Sequence, residues 1–530
     1  MSTPVTDQTT DHVARLGRVH MIGIGGAGMS VVARLLAGRG VAVQGSDAAE
    51  SATLDALRAE GVQVWVGHDP AHLAGVDTVV ISSAVHEGNP ELAAARARRL
   101  TVLHRSQALA ALMEGSRGVA VAGAHGKTTT SAMIATILRE VGLDPSYAIG
   151  STVRTADGAA PGGHLGTSDV LVAEADESDG SFLNYTPTVA VITNVEADHL
   201  DHYGTPEAFN GAFIRFARRL VPEGWLIACA DDEGSLSVGA TICATGGHVI
   251  TYGTDATARV RVTDISTTPE GTTAVLRGDV LGTNEQVADG AGVSGDVPGI
   301  PMRLAVPGRH NVLNATAAVI AAVKLGVDPR EAVAGVEAFA GTGRRFEEKG
   351  VADGVRVVDD YAHHPTEIRA VLTAAREIAD GGRVLVLFQP HLYSRTRIFA
   401  EAFATELAAA DEVVVTDVYG AREEPDPSVT PNTIVDLMSG HGSAYAVPDR
   451  LDAAHAIADL ARPGDVLLAV GAIVLQSLIT RFAQRRARVF GETVFADMRE
   501  EFVETVTSLP LSTVETAGTG DLIARTTRDV

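Results

Sequence analysis

The sequence predicts an α/β protein: three tandem domains followed by an atypical helical tail. Three observations carry this. At 530 residues the chain exceeds what one hydrophobic core ordinarily serves. Short β-branched runs alternate with Ala- and Leu-rich helical stretches, the pattern of parallel sheets layered with helices. Two of the strands run into glycine-rich turns that open the next helix, as ligand-binding α/β units do.

The first domain, 1–113, has strands at 19–22, 41–44 and 76–81, separated by helices of the 29–37 and 53–60 kind. The second, 114–340, opens with a strand at 119–122 and a helix from Thr128. Strands at 170–173 and 189–193 and an Ala-rich helix at 312–325 follow. Within it, 277–300 is rich in Gly, Asp and Val and reads as hairpin and loop. The third, 341–471, has strands at 355–358, 384–388, 413–416 and 466–470, with helices at 366–379, 399–409 and 452–461. The longest apolar run, 466–475, is about half of a membrane span, so it reads as a core strand.

Composition excludes several classes. The net charge of −24 opposes binding to nucleic acid or anionic lipid. Aromatic residues are 4%, too few for base-stacking platforms. An acidic chain still binds phosphorylated small molecules through helix N-termini and glycine loops. Cys229 and Cys243 form no disulfide framework or CxxC pair, and both read as buried small hydrophobes. The polar N-terminus, 1–18, has no apolar signal-type stretch, which fits a cytoplasmic protein.

The stretch Gly23-Ile24-Gly25-Gly26-Ala27-Gly28 lies between a strand and a helix, and Asp47 closes the next strand. Glycines there let the backbone approach a diphosphate, and the carboxylate is placed for a ribose hydroxyl. This is a Rossmann-like context; the alternative is a tight turn without ligand. Gly123-Ala124-His125-Gly126-Lys127-Thr128-Thr129 is a second such loop, of P-loop type. Its amides would cradle phosphates, Lys127 would reach the terminal phosphate and Thr128 would ligate Mg²⁺. Two residues separate its glycines where the usual P-loop has four.

Glu174, with Asp176, Glu177 and Asp179 behind it, ends one strand, and His199 follows another. Oxygen and imidazole groups there suit a phosphate-bound Mg²⁺; singly, each is as readily a solvated loop end. In the third domain, Tyr361-Ala362-His363-His364 and His391-Leu392-Tyr393-Ser394-Arg395 follow strands one βα unit apart and start helices. At the ends of adjacent strands, two histidines and an arginine could hold an anionic substrate and assist proton transfer. The alternative is helix capping by Thr366 and Ser394, with the histidines merely exposed.

Taken together and in order, these segments resemble the Mur ligase family over about 20–470. The match rests on HMIGIGGAGMS (20–30), GSD (45–47), AVAGAHGKTTT (120–130), EADESDGSF (174–182) and TNVEADHLD (193–201). It continues through PGRHNVLNATAA (307–318), GRRFE (343–347), DDYAHHPTEI (359–368) and FQPHLYSRT (389–397). The resemblance implies a first domain that binds a UDP-sugar through Gly23, Gly25, Gly26, Gly28, Asp47, Ser82 and Ser83. It implies ATP on Gly123 to Thr129 with Asn311 and Arg345, and Mg²⁺ near Thr128, Glu174 and His199. Lys127, His363, His391 and Arg395 would be the catalytic set, and Tyr361, His363, His391 and Arg395 would place an amino acid.

The implied chemistry is attack of a UDP-N-acetylmuramate carboxylate on the γ-phosphate of ATP. L-alanine then displaces phosphate, in a monomer or homodimer whose domains close around the ligands. The segment 205–224 lacks the lysine that relatives adding later amino acids carbamylate, which points to the alanine-adding branch. Leu392 stands where family members often carry Arg.

After residue 470 the family pattern is lost, and 491–530 resembles a short piece of an ABC exporter's membrane domain. Phe482, Val489, Phe495, Met498, Phe502 and Leu509 form an amphipathic stripe there. The segment carries no nucleotide-binding domain and implies no transport. The tail reads as unrelated sequence replacing the family's own, or as a divergent family tail that packs natively. Three other readings stand: a ligase that adds a preformed peptide to the same sugar, an inactive nucleotide-binding chain, and a dehydrogenase using the first loop for NAD. The last leaves the Lys127 loop without a role.

Overall fold

A computed structural model describes residues 13–471 apart from 156–157, 197, 199, 269–270, 283–298, 422 and 439–442. The tail from 472, with its exporter likeness, and His199 lie outside the described residues. The chain divides into two compact units, ending and beginning at Glu347 and Glu348. Residues 341–347, placed by the sequence at the start of the third domain, fall in the first unit.

The first unit contains two large sheets. One is five-stranded and parallel, in spatial order Gln63–Val66, Val43–Asp47, Val19–Ile22, Thr78–Ile81, Thr101–His104. Val19–Ile22 is buried throughout, and the chain crosses to opposite sides from it, so its C-terminal end is the topological switch point. The Gly23–Gly28 loop leaves from there into the helix Ala27–Gly38.

A buried carboxylate steadies this edge. Glu91 accepts from the Ser46 hydroxyl and meets His68 Nδ1 at 3.1 Å and His72 Nδ1 at 2.7 Å. Burial opposes its charge, but hydrogen bonds from His20, Ser46 and His72 hold its carboxyl down at about 2. Ser46 in turn accepts the Gly23 and Ile24 amides on its carbonyl. The polar core thus reaches the glycine loop through a single residue.

The other sheet is ten-stranded. Its parallel part runs Ser146–Ala148, Val170–Glu174, Arg117–Ala122, Val189–Ile192, Trp225–Cys229, His248–Gly253, Val260–Thr268. Gly163–His164 adds to Ser146–Ala148 antiparallel at one edge, and Gly271–Gly278 and Ile300–Leu304 extend the other edge antiparallel. The sequence reading named neither strand; the segment 277–300 that it takes as hairpin and loop joins the two, and 283–298 of it lies outside the described residues. Val260–Thr268 alternates buried and exposed residues, a strand with one covered and one solvated face and without the apolar run of a strand buried on both. The Ala-rich helix Arg309–Lys324 and the helix Lys127–Glu140 pack together over one face. Cys229 is buried as expected; Cys243, near the end of the helix Glu233–Ala244, is exposed.

The second unit has a six-stranded sheet in the order Glu347–Ala352, Val355–Asp360, Val466–Val470, Val384–Phe388, Glu412–Val415, Ser443–Ala446. Val466–Val470 is the core strand its composition predicts, with every residue buried. It corrects one expectation: it pairs parallel with both Val355–Asp360 and Val384–Phe388, so the two histidine-bearing strands are not adjacent. Strand neighbours depend on where the last strand inserts, which local composition does not encode. Among the described residues no helix is long and apolar enough to cross a membrane.

Candidate active site

The Gly123–Thr129 loop leaves the buried strand Arg117–Ala122, flanked by Val170–Glu174 and Val189–Ile192. Gly123 and Gly126 have φ of 137° and 85°, which side-chain-bearing residues rarely adopt. Gly126 precedes the helix Lys127–Glu140, which starts without a side-chain cap, so its first amides are available to a phosphate. Asn194 holds the loop's shape by accepting from the His125 amide at 2.9 Å and donating to the His125 carbonyl at 3.0 Å.

Lys127 Nζ is folded back onto its own loop, 2.6 Å from the Gly123 carbonyl, and forms an ion pair with Glu177 at 2.8 Å. Burial works against its charge, but Glu177, Asp176 and Glu174 together hold its pKa above the usual lysine value. Burial pushes the Glu174 carboxyl up, against the Thr128 hydroxyl, the Gly150 amide and the charges of Lys127 and Arg345. Glu174 Oε1 is buried and has no hydrogen-bond partner. An orphaned carboxylate oxygen beside a threonine hydroxyl fits a hard cation.

Burial likewise pushes the Glu177 carboxyl up to about 7, from 4.5, against the pull of Lys127. A carboxyl raised on folding contributes stability that is full below pH 4.5 and is lost as pH rises through about 7. We expect Glu177→Gln to remove a loss of roughly 3 kcal/mol across that range. Melting temperature against pH then becomes flatter in the variant. Identical slopes in both proteins would contradict this.

At the first loop, Gly26 caps the helix Ala27–Gly38 and Gly23 has φ 75°. Asp47, expected to take a ribose hydroxyl, also has a part in the loop's own structure. Its Oδ2 accepts the Gly25 amide at 2.8 Å and its Oδ1 the Ala48 amide at 2.8 Å, so it braces the loop itself. Ser82 and Ser83 follow the neighbouring strand Thr78–Ile81. Ser83 Oγ lies 3.2 Å from His104 Nε2 and donates to Asp179 of the acidic turn.

Asn311 and Arg345 come from other parts of the chain. Asn311 is buried in the first turn of Arg309–Lys324, its amide donating to the Pro307 carbonyl at 2.7 Å. Arg345 lies where its charge acts on Glu174. The sequence reading missed Asn314, whose Oδ1 would meet a Cβ at Gly126 at 2.6 Å. The signal was its place one helical turn after Asn311. Arg105 and the role of Asn194 were missed too, and Glu177, named among the acidic residues behind Glu174, was not foreseen as the partner of Lys127, because these roles depend on contacts distant in sequence.

The second unit brings Tyr361, His363 and His391 together. Ring centroids lie 5.0 Å apart for Tyr361–His363 and 5.7 Å for His363–His391. His363 is oriented by the Tyr361 carbonyl, 2.9 Å from Nδ1. Arg395 is buried in the first turns of the helix Tyr393–Leu407.

The capping expectation is corrected. His364, not Thr366, caps the helix Pro365–Ile378, in a reciprocal box with Glu367. Leu392, with φ 69° and no capping side chain, precedes Tyr393–Leu407. The Ser394 amide is instead satisfied by Glu423 at 3.1 Å. A cavity of about 620 Å³ opens beside this turn, lined by Gln389, Tyr393, Asp417, Tyr419, Glu423 and Arg450 among others.

Comparison with known proteins matches three family descriptions in sequence order. They are the Mur ligase family catalytic domain over 18–117, the Mur ligase middle domain over 121–322 and the Mur ligase glutamate ligase domain over 344–473. The UDP-N-acetylmuramate–L-alanine ligase of Kineococcus radiotolerans is 56% identical, covering 89% of this chain and 96% of the relative. That of Renibacterium salmoninarum is 50% identical, covering 86% and 93%.

Among solved structures, the UDP-N-acetylmuramate–alanine ligase of Thermotoga maritima has a TM-score of 0.71 at 29% identity, covering 89% of this chain and 99% of its own. A murein peptide ligase of Psychrobacter arcticus has 0.63 at 25%, covering 88% and 98%. The exporter likeness of the tail is not borne out.

Proposed function

We infer that this chain, which belongs to the Mur ligase family, joins L-alanine to the lactyl carboxylate of UDP-N-acetylmuramate, using ATP, in peptidoglycan precursor synthesis. The observation that carries it is the 56% identity to a ligase of that activity across 96% of the relative. Among solved structures the alanine ligase has a TM-score of 0.71 against 0.63 for the murein peptide ligase, which, with the alanine ligases at 56% and 50% identity, favours alanine over a preformed peptide as the incoming group. The reaction belongs in the cytoplasm, where ATP and nucleotide sugars are made.

In this reading the first glycine loop and the N-terminus of Ala27–Gly38 receive the diphosphate of the sugar. The Gly123–Thr129 amides receive the ATP phosphates, and Lys127 leaves Glu177 to meet the terminal one. Thr128 and Glu174 would hold Mg²⁺, which neutralises charge on the phosphate oxygens when bound. The sugar carboxylate attacks the γ-phosphate, ADP leaves, and an acyl phosphate results. The alanine amine attacks the acyl carbon, phosphate leaves, and the amine proton passes to a base. Lys127 and Arg345 supply positive charge to the first step.

Tyr361, His363, His391 and Arg395 orient the amino acid for the second step, a histidine accepting the proton. The test is phosphate release from ATP with UDP-N-acetylmuramate and Mg²⁺, with and without L-alanine. Release that requires every component is the expected result. Release without the sugar, or with a peptide in place of alanine, would overturn the assignment.

A further inference from the structure

Three neighbouring strands of the second unit's sheet, Val384–Phe388, Glu412–Val415 and Ser443–Ala446, run parallel, so their carboxyl ends share one rim. The cavity of about 620 Å³ lies along that rim. Gln389 follows the first strand, Asp417 and Tyr419 follow the second, and Arg450 opens the helix Arg450–Leu460 after the third. In open α/β sheets, the crevice outside the carboxyl ends of the strands is where ligands bind.

Some polar groups around the cavity are already engaged. Glu423 takes the Ser394 amide and hydroxyl, and Asp449 accepts the Leu451 and Asp452 amides. Those two amides lower the Asp449 pKa more than the neighbouring Arg450 charge does. Three other groups are differently placed. Among the described residues, the Gln389 side-chain amide makes no hydrogen bond, although the residue is only 9% exposed. Buried amides are ordinarily hydrogen-bonded, so this one is placed for a partner. The Asp417 carboxylate makes no hydrogen bond or ion pair with any described residue, and Arg450 makes no ion pair. Two opposite charges thus line one cavity without pairing with each other.

We propose that this cavity binds a short zwitterionic peptide, its ammonium on Asp417, its carboxylate on Arg450 and a peptide group on Gln389. The arginine fork matches a carboxylate bidentately. A glutamine amide both donates to and accepts from a peptide group. Tyr393 and Tyr419 give the wall flat, amphipathic surface. Size points to a peptide, because pockets of about 300–1,000 Å³ enclose drug-sized molecules and one alanine fills a small part of such a space. Tyr419 and His391 have ring centroids 5.6 Å apart, so the cavity neighbours the cluster placed for the amino acid. It is lined by none of Tyr361, His363, His391 and Arg395. The proposal does not rest on the reading of the chain as an alanine ligase.

The test is calorimetric titration of the full chain with trialanine. N-acetyl-trialanine, which lacks the ammonium, and trialanine amide, which lacks the carboxylate, should each bind about 10- to 100-fold more weakly. Asp417→Asn and Arg450→Gln should weaken trialanine by a similar factor; both side chains are exposed, so the fold is expected to tolerate the changes. The KM for L-alanine in the complete reaction should stay the same in both. No binding of trialanine by the wild type, equal binding of the blocked peptides, or full binding by both variants overturns the proposal. A KM for L-alanine that rises as trialanine binding falls would make the cavity part of the alanine site, which overturns it as well. Absence of turnover in the wild type counts against the ligase reading alone, and the titrations still decide the peptide site.

Discussion

Lys127→Ala should lower ATP turnover in the complete reaction by at least about a thousandfold, the scale expected when a preorganised charge on a transferring phosphoryl group is lost. The side chain is not a surface lysine. Its ammonium reaches the Gly123 carbonyl at 2.6 Å, the Ala124 carbonyl at 3.3 Å and Glu177 at 2.8 Å. These bonds hold the charge inside the loop that would receive the phosphates, where it moves a short way onto ligand.

The same substitution leaves Glu177, which is almost wholly buried, without its cation. Some loss of stability is therefore expected as well. Turnover must accordingly be measured where circular dichroism shows the variant folded. Full turnover in a folded Lys127→Ala protein would remove the catalytic assignment of this loop.

Gly123→Ala is expected to cost about 1–3 kcal/mol in stability and to weaken ATP binding by about 100-fold or more. At φ 137° an added Cβ is strained, and it would collide with Thr193 Oγ1 and lie 3.1 Å from the Asn194 backbone. Thr193 has little freedom to retreat, because its hydroxyl donates to the His125 carbonyl at 2.5 Å. Relief must come from the loop itself, which moves the amides meant for phosphate.

Gly40→Ala is the control. Gly40 has φ 82° but nothing within 4 Å of its added Cβ. Backbone strain alone should then give about 1 kcal/mol and unchanged ATP affinity. Denaturant unfolding and nucleotide titration of both variants decide the matter; equal ATP affinity for Gly123→Ala and wild type would contradict the loop geometry argued here.

Both glycine-rich loops were legible in the sequence because such a loop is local. Gly23–Gly28 and Gly123–Thr129 each lie within a single strand–turn–helix segment, so the amides that the proposed phosphate sites would use follow one another along the chain. The layered α/β class and the buried strand Val466–Val470 were legible for the same reason, since periodicity and apolar runs are local properties.

What the tertiary structure alone decided is who meets whom. Val466–Val470 inserts between the two histidine-bearing strands, yet the helix entries beyond them bring His363 and His391 to 5.7 Å. Asp47 braces its loop, Glu423 serves Ser394, and Arg105 reaches from one sheet's loops to the other's acidic turn. Each pairing joins residues well separated along the chain. Strand order, and not any local preference, sets those distances, so the residue types were readable while their partners were not.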